Sequence, residues 1–250
     1  EDDTRRLLLD FPGHREPIRS VFITSDGRRA LSGSESGIIK LWDLDKCECL
    51  TSFQAHVGPV HSLCLSDDRA IIYSGGEDNC VKLHASSTGD CLRIMQGHTE
   101  AVRAVRLGVE NKIILSGSKD HTIRMWNSET GECLMILREH EAGVNAVDFS
   151  ESGRYALSGS RDATLKLWDL TTGECVRTYV GHESRVHAVS LSADARLALS
   201  GSRDATVKLW NVNTGECIRT LRGHRTEAYS VFLSGNGYYA LSASRSGTLK

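Results

Sequence analysis

The chain has 250 residues, of which 40% are hydrophobic and 25% are charged, a balance typical of soluble globular proteins. Its 30 Lys and Arg residues nearly offset its 32 Asp and Glu residues, which argues against a globally basic nucleic-acid-binding protein. No apolar run approaches the ~18 residues that a membrane-spanning helix needs, so we expect no membrane partner.

One period of 42 residues runs through the chain, as the spacing from His56 to His98 shows. The histidines on this period are His14, His56, His98, His140, His182 and His224. The tryptophans on it are Trp42, Trp126, Trp168 and Trp210, with His84 in the remaining place. Five of the cysteines follow it too, namely Cys49, Cys91, Cys133, Cys175 and Cys217. Such regular cysteines belong to a repeat rather than to a disulfide framework, which predicts reduced thiols and a cytoplasmic protein, with the nucleus also compatible.

Within one repeat, four short runs rich in β-forming residues alternate with turn residues. In chain order the predicted strands are Val186–Leu191, Arg196–Ser200, Thr206–Trp210 and Cys217–Leu221. Turn residues fill Gly201–Ala205 and Asn213–Gly215 between them. Runs of this length, separated by Gly, Asp, Ser and Asn, are typical of antiparallel sheet. The pattern therefore predicts four strands in each repeat.

The copies also share short motifs in a fixed order: Gly-His, then Ser-Gly-Ser-x-Asp, then Leu-Lys-Leu-Trp-Asp. Gly159–Thr178 and Gly201–Thr220 are identical at fifteen of twenty positions. Over its whole length the sequence resembles the WD-repeat β-propeller family. The resemblance implies an all-β fold, a β-propeller of four-stranded antiparallel blades with six repeats visible.

The two ends of the chain fall at complementary points of the repeat. Residues 6–11 have the register of a fourth strand, whereas residues 225–250 supply three strands of the last blade. We therefore expect a single domain over residues 1–250 in which residues 6–11 pair with the last blade. This favours a six-bladed ring, and seven blades with one repeat missing is the alternative.

Each complete copy contains His, Ser and Asp residues that could be read as a hydrolase triad. An enzyme needs one triad, whereas this chain repeats the set around a ring. The resemblance instead implies a structural hydrogen-bond relay of His, Ser, Asp and Trp in each blade. Its predicted members are His98, Ser116, Asp120 and Trp126; His140, Ser158, Asp162 and Trp168; and His182, Ser200, Asp204 and Trp210. Weaker relays are expected where Ser36 and Ser246 replace Asp and where His84 replaces Trp.

Two columns of variable residues are the candidate partner-binding positions. The resemblance places binding on the face that carries the Gly-His loops and the turns between second and third strands. The turn column comprises Glu35, Glu77, Lys119, Arg161, Arg203 and Arg245. The strand column comprises Arg19, His61, Arg103, Asn145, His187 and Tyr229. Alternation with core positions predicts that the strand column converges at the mouth of the central channel.

The cations of these columns favour an acidic or phosphorylated ligand, because arginine binds carboxylate and phosphate in bidentate fashion. The alternative is that they are solvated turn residues. We expect a non-catalytic protein–protein interaction scaffold within a larger multidomain protein or complex, without a metal or other cofactor. An RNA-binding propeller is the second hypothesis, but Tyr229 is the only aromatic residue in the columns. A propeller enzyme would need a non-periodic titratable cluster, and only His61 and His187 stand outside the framework there.

Overall fold

The computed structural model describes residues 13–108 and 111–250. Strands β1 to β22 of these ranges form five four-stranded antiparallel sheets and one two-stranded sheet. Each four-stranded sheet uses four consecutive strands, so the chain completes one blade before it starts the next. This all-β arrangement of six repeated units is consistent with a six-bladed β-propeller. None of the described residues forms a helix long and apolar enough to cross a membrane.

The strand bounds follow the 42-residue period. Blade 1 has β1 (Ile18–Ile23), β2 (Arg29–Ser34), β3 (Ile38–Asp43) and β4 (Glu48–Gln54); blade 2 has β5 (Val60–Leu65), β6 (Ile71–Gly76), β7 (Val81–Ala85) and β8 (Cys91–Met95). Blade 3 has β9 (Val102–Leu107), β10 (Ile113–Ser118), β11 (Ile123–Asn127) and β12 (Cys133–Leu137); blade 4 has β13 (Val144–Phe149), β14 (Tyr155–Ser160), β15 (Leu165–Asp169) and β16 (Glu174–Tyr179). Blade 5 has β17 (Val186–Leu191), β18 (Leu197–Ser202), β19 (Thr206–Asn211) and β20 (Cys217–Arg222); blade 6 has β21 (Ala228–Leu233) and β22 (Ala240–Ser244).

The sequence placed the second strand of blade 5 slightly too early. It predicted a strand that ends at Ser200, whereas β18 continues to Ser202. The extension exists because Ser202 still pairs with Val186 on β17. The turn at the Gly-Ser-Arg-Asp motif therefore begins two residues after Gly201, where the sequence had predicted it.

The core lies between successive blades, where a glycine on one second strand faces valines on the next first strand. A Cβ atom added to Gly117 would lie 2.8 Å from Cγ1 of Val144, so only glycine permits this approach. Val144 and Val147 are buried in the same cluster as Leu115 and Trp168. Burial of each such aliphatic side chain is worth about 1.5–3 kcal/mol, and the period repeats the contact.

The first and last blades depart from this packing. Ile18 and Val21 of blade 1 are 52% and 70% exposed, whereas the corresponding Val102 and Val105 of blade 3 are fully buried. Phe232 and Leu241 of blade 6 are also half-exposed or more. The two blade faces therefore remain uncovered by the residues that the structure describes. The predicted pairing of residues 6–11 with the last blade lies outside those residues.

Candidate binding face at the channel mouth

The predicted relay hydrogen bonds are present in blade 4. The Trp168 Nε1–H donates to Ser158 Oγ at 2.8 Å, and Ser158 Oγ lies 2.7 Å from His140 Nε2. His140 Nδ1 in turn lies 2.8 Å from Asp162 Oδ2. Because the Asp162 carboxylate can only accept, His140 donates to it from Nδ1. The relay connects the Gly-His loop to the second and third strands.

The same relay recurs with nearly the same distances in blades 3 and 5. The histidine Nδ1 to aspartate Oδ2 distance is 2.8 Å in both blades, and so is the tryptophan Nε1 to serine Oγ distance. Its members there are His98, Ser116, Asp120 and Trp126 in blade 3, and His182, Ser200, Asp204 and Trp210 in blade 5. Three copies in equivalent positions serve the framework rather than one reactive centre.

The aspartate of each complete relay also organises the turn. Asp162 Oδ1 accepts hydrogen bonds from the backbone N–H and the hydroxyl of Thr164, and Asp162 Oδ2 accepts one from the Glu141 N–H. Burial alone would raise the pKa of Asp162, but the hydrogen bonds from His140 and Thr164 outweigh it and hold that pKa well below its usual range. Asp162 therefore remains charged and fixes the turn that carries Arg161.

The strand column meets at one cavity. Arg19, His61, Arg103, Asn145, His187 and Tyr229 all line a cavity of about 510 Å³ where the first strands of the blades converge. The cavity lies where the alternation of core and channel residues predicts a channel mouth. A role of these residues in binding a partner stays a prediction.

The turn column lies beside the strand column because first and second strands pair antiparallel. A strand residue and the turn residue sixteen positions later are neighbours, as Arg19 and Glu35 are. Arg19 Nη2 donates to Glu35 Oε1 at 2.8 Å, and His61 Nε2 lies 2.7 Å from Glu77 Oε2. Both carboxylates of the turn column are thus occupied by cationic or titratable side chains of the strand column.

The four basic turn residues do not present their charges equally. Glu227 lies between blades 5 and 6, where its carboxylate is 3.0 Å from Arg203 Nε and 4.0 Å from Arg245 Nη1. Lys119 Nζ lies 3.4 Å from Glu100 Oε2. Arg161 Nε donates to Asn145 Oδ1 at 3.2 Å and has no carboxylate partner within the described ranges. The uniform basic arc expected from the sequence is therefore interrupted by internal carboxylates.

Glu227 is a residue of the candidate site that the 42-residue period does not reveal. Its equivalents in blades 3 to 5 are Ala101, Gly143 and Arg185, so the period assigns it no role. The Tyr229 hydroxyl, and then the nearby His187 and Arg203 side chains, lower the pKa of Glu227 against the effect of burial. The signal in the sequence that could have revealed Glu227 is an acidic residue directly before Ala228, the buried first residue of β21.

The two histidines at the mouth pair with different carboxylates. His61 contacts Glu77, whereas His187 Nε2 lies 3.6 Å from Glu227 and its ring packs against Tyr229 with centroids 4.6 Å apart. Burial lowers the pKa of both histidines, so both are mainly neutral at pH 7. The two histidines therefore take part in separate contacts, His61 within blade 2 and His187 between blades 5 and 6.

The sequence matches the family described as WD domain, G-beta repeat, six times. The matched residues are 5–43, 47–84, 89–127, 131–169, 173–211 and 215–250. The chain belongs to the WD40 family. WD40 repeats generally act as scaffolds for protein–protein interaction, and WD40 propellers are typically non-catalytic. The WD40 framework accounts for the His, Ser, Asp and Trp relays, which leaves the two variable columns as the candidate site.

Proposed function

We propose that this chain is a non-catalytic scaffold whose channel mouth binds an acidic or phosphorylated segment of a protein partner. The observation that supports it most is the convergence of the strand column from all six blades on one cavity of about 510 Å³. A cavity of this size suits a few side chains of an extended segment rather than a folded surface. The partner is expected to lie in the same compartment, which we propose to be the cytoplasm.

The charge around this cavity supports an anionic ligand. Arg103 lines the cavity, and Lys119, Arg161, Arg203 and Arg245 lie on the turns beside the strand column of blades 3 to 6, against three nearby carboxylates, Glu77, Glu100 and Glu227. Guanidinium groups favour carboxylate and phosphate because they offer paired donors in a plane. The chain's near-zero total charge therefore coexists with a locally basic mouth.

RNA is the less favoured ligand because the two most exposed aromatic residues of the described ranges lie away from the mouth, where Tyr229 is the one Phe, Tyr or Trp side chain in the lining. Tyr238 and Tyr239 are 84% and 75% exposed, but they stand at the turn between the first and second strands of blade 6. In an antiparallel blade this turn lies at the opposite end from the turn column. On the face that carries the cations, base stacking would therefore depend on Tyr229 alone.

Fluorescence anisotropy with labelled peptides tests the proposal directly. The probes are a Glu- and Asp-rich peptide with a central phosphoserine, the same peptide with Gln and Asn replacing the acids and serine replacing phosphoserine, and single-stranded RNA. We expect the acidic peptide to bind at least about tenfold more tightly than the neutral one, with an affinity that falls as salt rises. Equal binding of the two peptides, or binding of RNA alone, would overturn the proposed function.

A further inference from the structure

The cations of the channel mouth differ in what neutralises them. In blades 1 and 2 the pairs Arg19–Glu35 and His61–Glu77 are internal, with contacts of 2.8 and 2.7 Å. These two blades consequently present little unpaired positive charge, although Arg19 belongs to the strand column. A ligand anion gains little by replacing carboxylates that are already in place.

In blades 5 and 6 a carboxylate from the chain itself occupies the basic site. Glu227 is only 15% exposed in its side chain, with Arg203 Nε at 3.0 Å and His187 Nε2 at 3.6 Å. Arg245 Nη1 lies at 4.0 Å from the same carboxylate. Glu227 thus holds the place that a partner's carboxylate would take at these two blades.

Within the described ranges, no carboxylate as buried as Glu227 pairs with the strand-column or turn-column residues of blades 3 and 4. Their neighbouring strand and turn residues are Arg103 with Lys119 and Asn145 with Arg161, so no i, i+16 carboxylate is present. Lys119 has the exposed Glu100 at 3.4 Å, a pair that water screens because both side chains are nearly half-exposed. Arg161 is positioned by Asn145, whose amide donates to the Val186 carbonyl at 2.8 Å. Asn145 holds Arg161 without neutralising it.

Arg103 carries a second, independent sign of a missing anion. Its Nε–H is buried and has no hydrogen-bond acceptor within the described part of the chain. Its nearest carboxylate oxygen belongs to Glu77, 3.8 Å from Arg103 Nη2, and that oxygen already pairs with His61. Burial, together with the positive charges of Arg161 and Arg19, lowers the pKa of Arg103 despite Glu77. A buried donor without an acceptor is rare in folded proteins.

We propose that Arg103 and Arg161, with Asn145 between them, form the subsite that receives one anionic oxygen group of the partner, a phosphate or a carboxylate. The inference rests on the proposed function and assigns its main contact to blades 3 and 4 rather than to the whole basic arc. The anion would supply the acceptor that Arg103 Nε–H lacks and the countercharge that Arg161 lacks. In blades 5 and 6 Glu227 already supplies a countercharge to the turn-column cations Arg203 and Arg245.

Single arginine-to-glutamine substitutions test the subsite, with the phosphoserine peptide described above as the probe. We expect Arg161→Gln and Arg103→Gln each to weaken binding about tenfold, the loss of one charge-assisted contact. Arg245→Gln removes the same charge from the same turn column, but beside Glu227, and should weaken binding less than about threefold. The matched control is Arg219→Gln, an exposed position on the fourth strand of blade 5 outside both columns, which should leave affinity unchanged. Circular dichroism and thermal melts verify folding, and Arg161→Gln carries the test if the Arg103 variant unfolds.

The possible outcomes separate the subsite from the proposed function. Equal weakening by Arg161→Gln and Arg245→Gln would replace the subsite by diffuse electrostatics, while peptide binding itself would stand. Binding unchanged in both Arg103→Gln and Arg161→Gln would also overturn the subsite alone. No binding of acidic peptide by the unmodified chain would overturn both. Inorganic phosphate and acetate as competitors distinguish the two anions, since the preferred group displaces the peptide at lower concentration.

Discussion

Blades 2 and 4 come from copies of one repeat, yet their centres are built differently. In blade 4 the buried Trp168 packs edge-on against His140 with ring centroids 6.1 Å apart and donates to Ser158. In blade 2 His84 takes the tryptophan place, is 2% exposed, and has a buried Nδ1 without a partner in the described structure. The hydrogen bonds from His56 to Ser74 and Asp78 nevertheless persist, at 2.8 and 2.7 Å.

The difference shows that the relay and the tryptophan are separable, and that blade 2 compensates for a second loss. Cys80 stands where blade 4 has Thr164, so Asp78 lacks a hydroxyl donor. Lys82 fills this role, because its Nζ lies 2.8 Å from Asp78 Oδ2 and also donates to the Ala55 carbonyl. The equivalent Lys166 instead donates to Thr178 on the fourth strand. The aspartate turn is thus maintained by a different donor, whereas no residue of the described ranges replaces the indole N–H.

The largest effect is expected when the tryptophan of blade 4 is replaced by histidine, the residue at the equivalent position of blade 2. Trp168→His removes a side chain that is 1% exposed and leaves Ser158 without its indole donor. We expect a loss of about 3–4 kcal/mol in the free energy of unfolding, measured by urea denaturation followed by circular dichroism. Leu134→His, at a 47% exposed rim position, is the control and should cost little. A loss below about 1 kcal/mol would mean that either residue builds an equally good blade.

Acid should weaken blade 2 through His84. Burial first, and then the nearby His56 and Lys82, lower the pKa of His84 to about 4, whereas an unfolded histidine has a pKa of about 6.5. The unfolded chain binds this proton more readily, so the stability from neutral His84 is complete above pH 6.5 and is lost as pH falls towards 4. The loss amounts to about 3 kcal/mol below pH 4.

Urea denaturation across pH 4 to 7 measures this loss against a variant that cannot titrate at position 84. His84→Trp restores the residue of the other blades and should flatten the dependence of unfolding free energy on pH, while other groups contribute equally in both proteins. Parallel pH profiles for the two chains would show that the His84 environment does not suppress its protonation.

The repeated framework could be predicted because residues that recur at the same position of the 42-residue period have equivalent surroundings. The first strand of blade 5 was predicted as Val186–Leu191, and β17 has these bounds. The four relay partners of blade 4 were likewise implied by the resemblance to WD repeats, and the complete copies in blades 3, 4 and 5 have the same partners. The register of the blades therefore follows from sequence alone.

What escaped the sequence is where the symmetry fails. Glu227 interrupts the basic arc, although its position on the period is otherwise occupied by residues without a common property. The exposure of Ile18 and Val21 was equally hidden, because their sequence is that of a buried strand and only the neighbouring blade decides their burial. Contacts between residues of different repeats, rather than local pattern, determine both features.

The smallest effects are expected when the aspartate is removed from a complete relay or introduced into an incomplete one. Asp162→Ala, and likewise Asp204→Ala, leaves the buried histidine Nδ1–H without its acceptor and should lower the free energy of unfolding by about 1–3 kcal/mol. Blade 1 provides the reverse experiment, because Ser36 stands in the aspartate place and His14 Nδ1 is buried without a partner in the described ranges. Ser36→Asp should therefore stabilise the chain by about 1 kcal/mol.

Thermal and urea melts of the two exchanges, with Ser36→Ala as the control, decide whether the aspartate acts through histidine. If it does, the free energy of unfolding falls in the blade 4 variant and rises in the blade 1 variant. Ser36→Ala should change it little, because within the described ranges Ser36 Oγ hydrogen-bonds to Ser34 Oγ alone. If Ser36→Asp is neutral while Asp162→Ala is costly, the aspartate stabilises its turn through Thr164 instead, since blade 1 has Ile38 in the threonine place. The sign of the blade 1 exchange thus separates the two roles of one carboxylate.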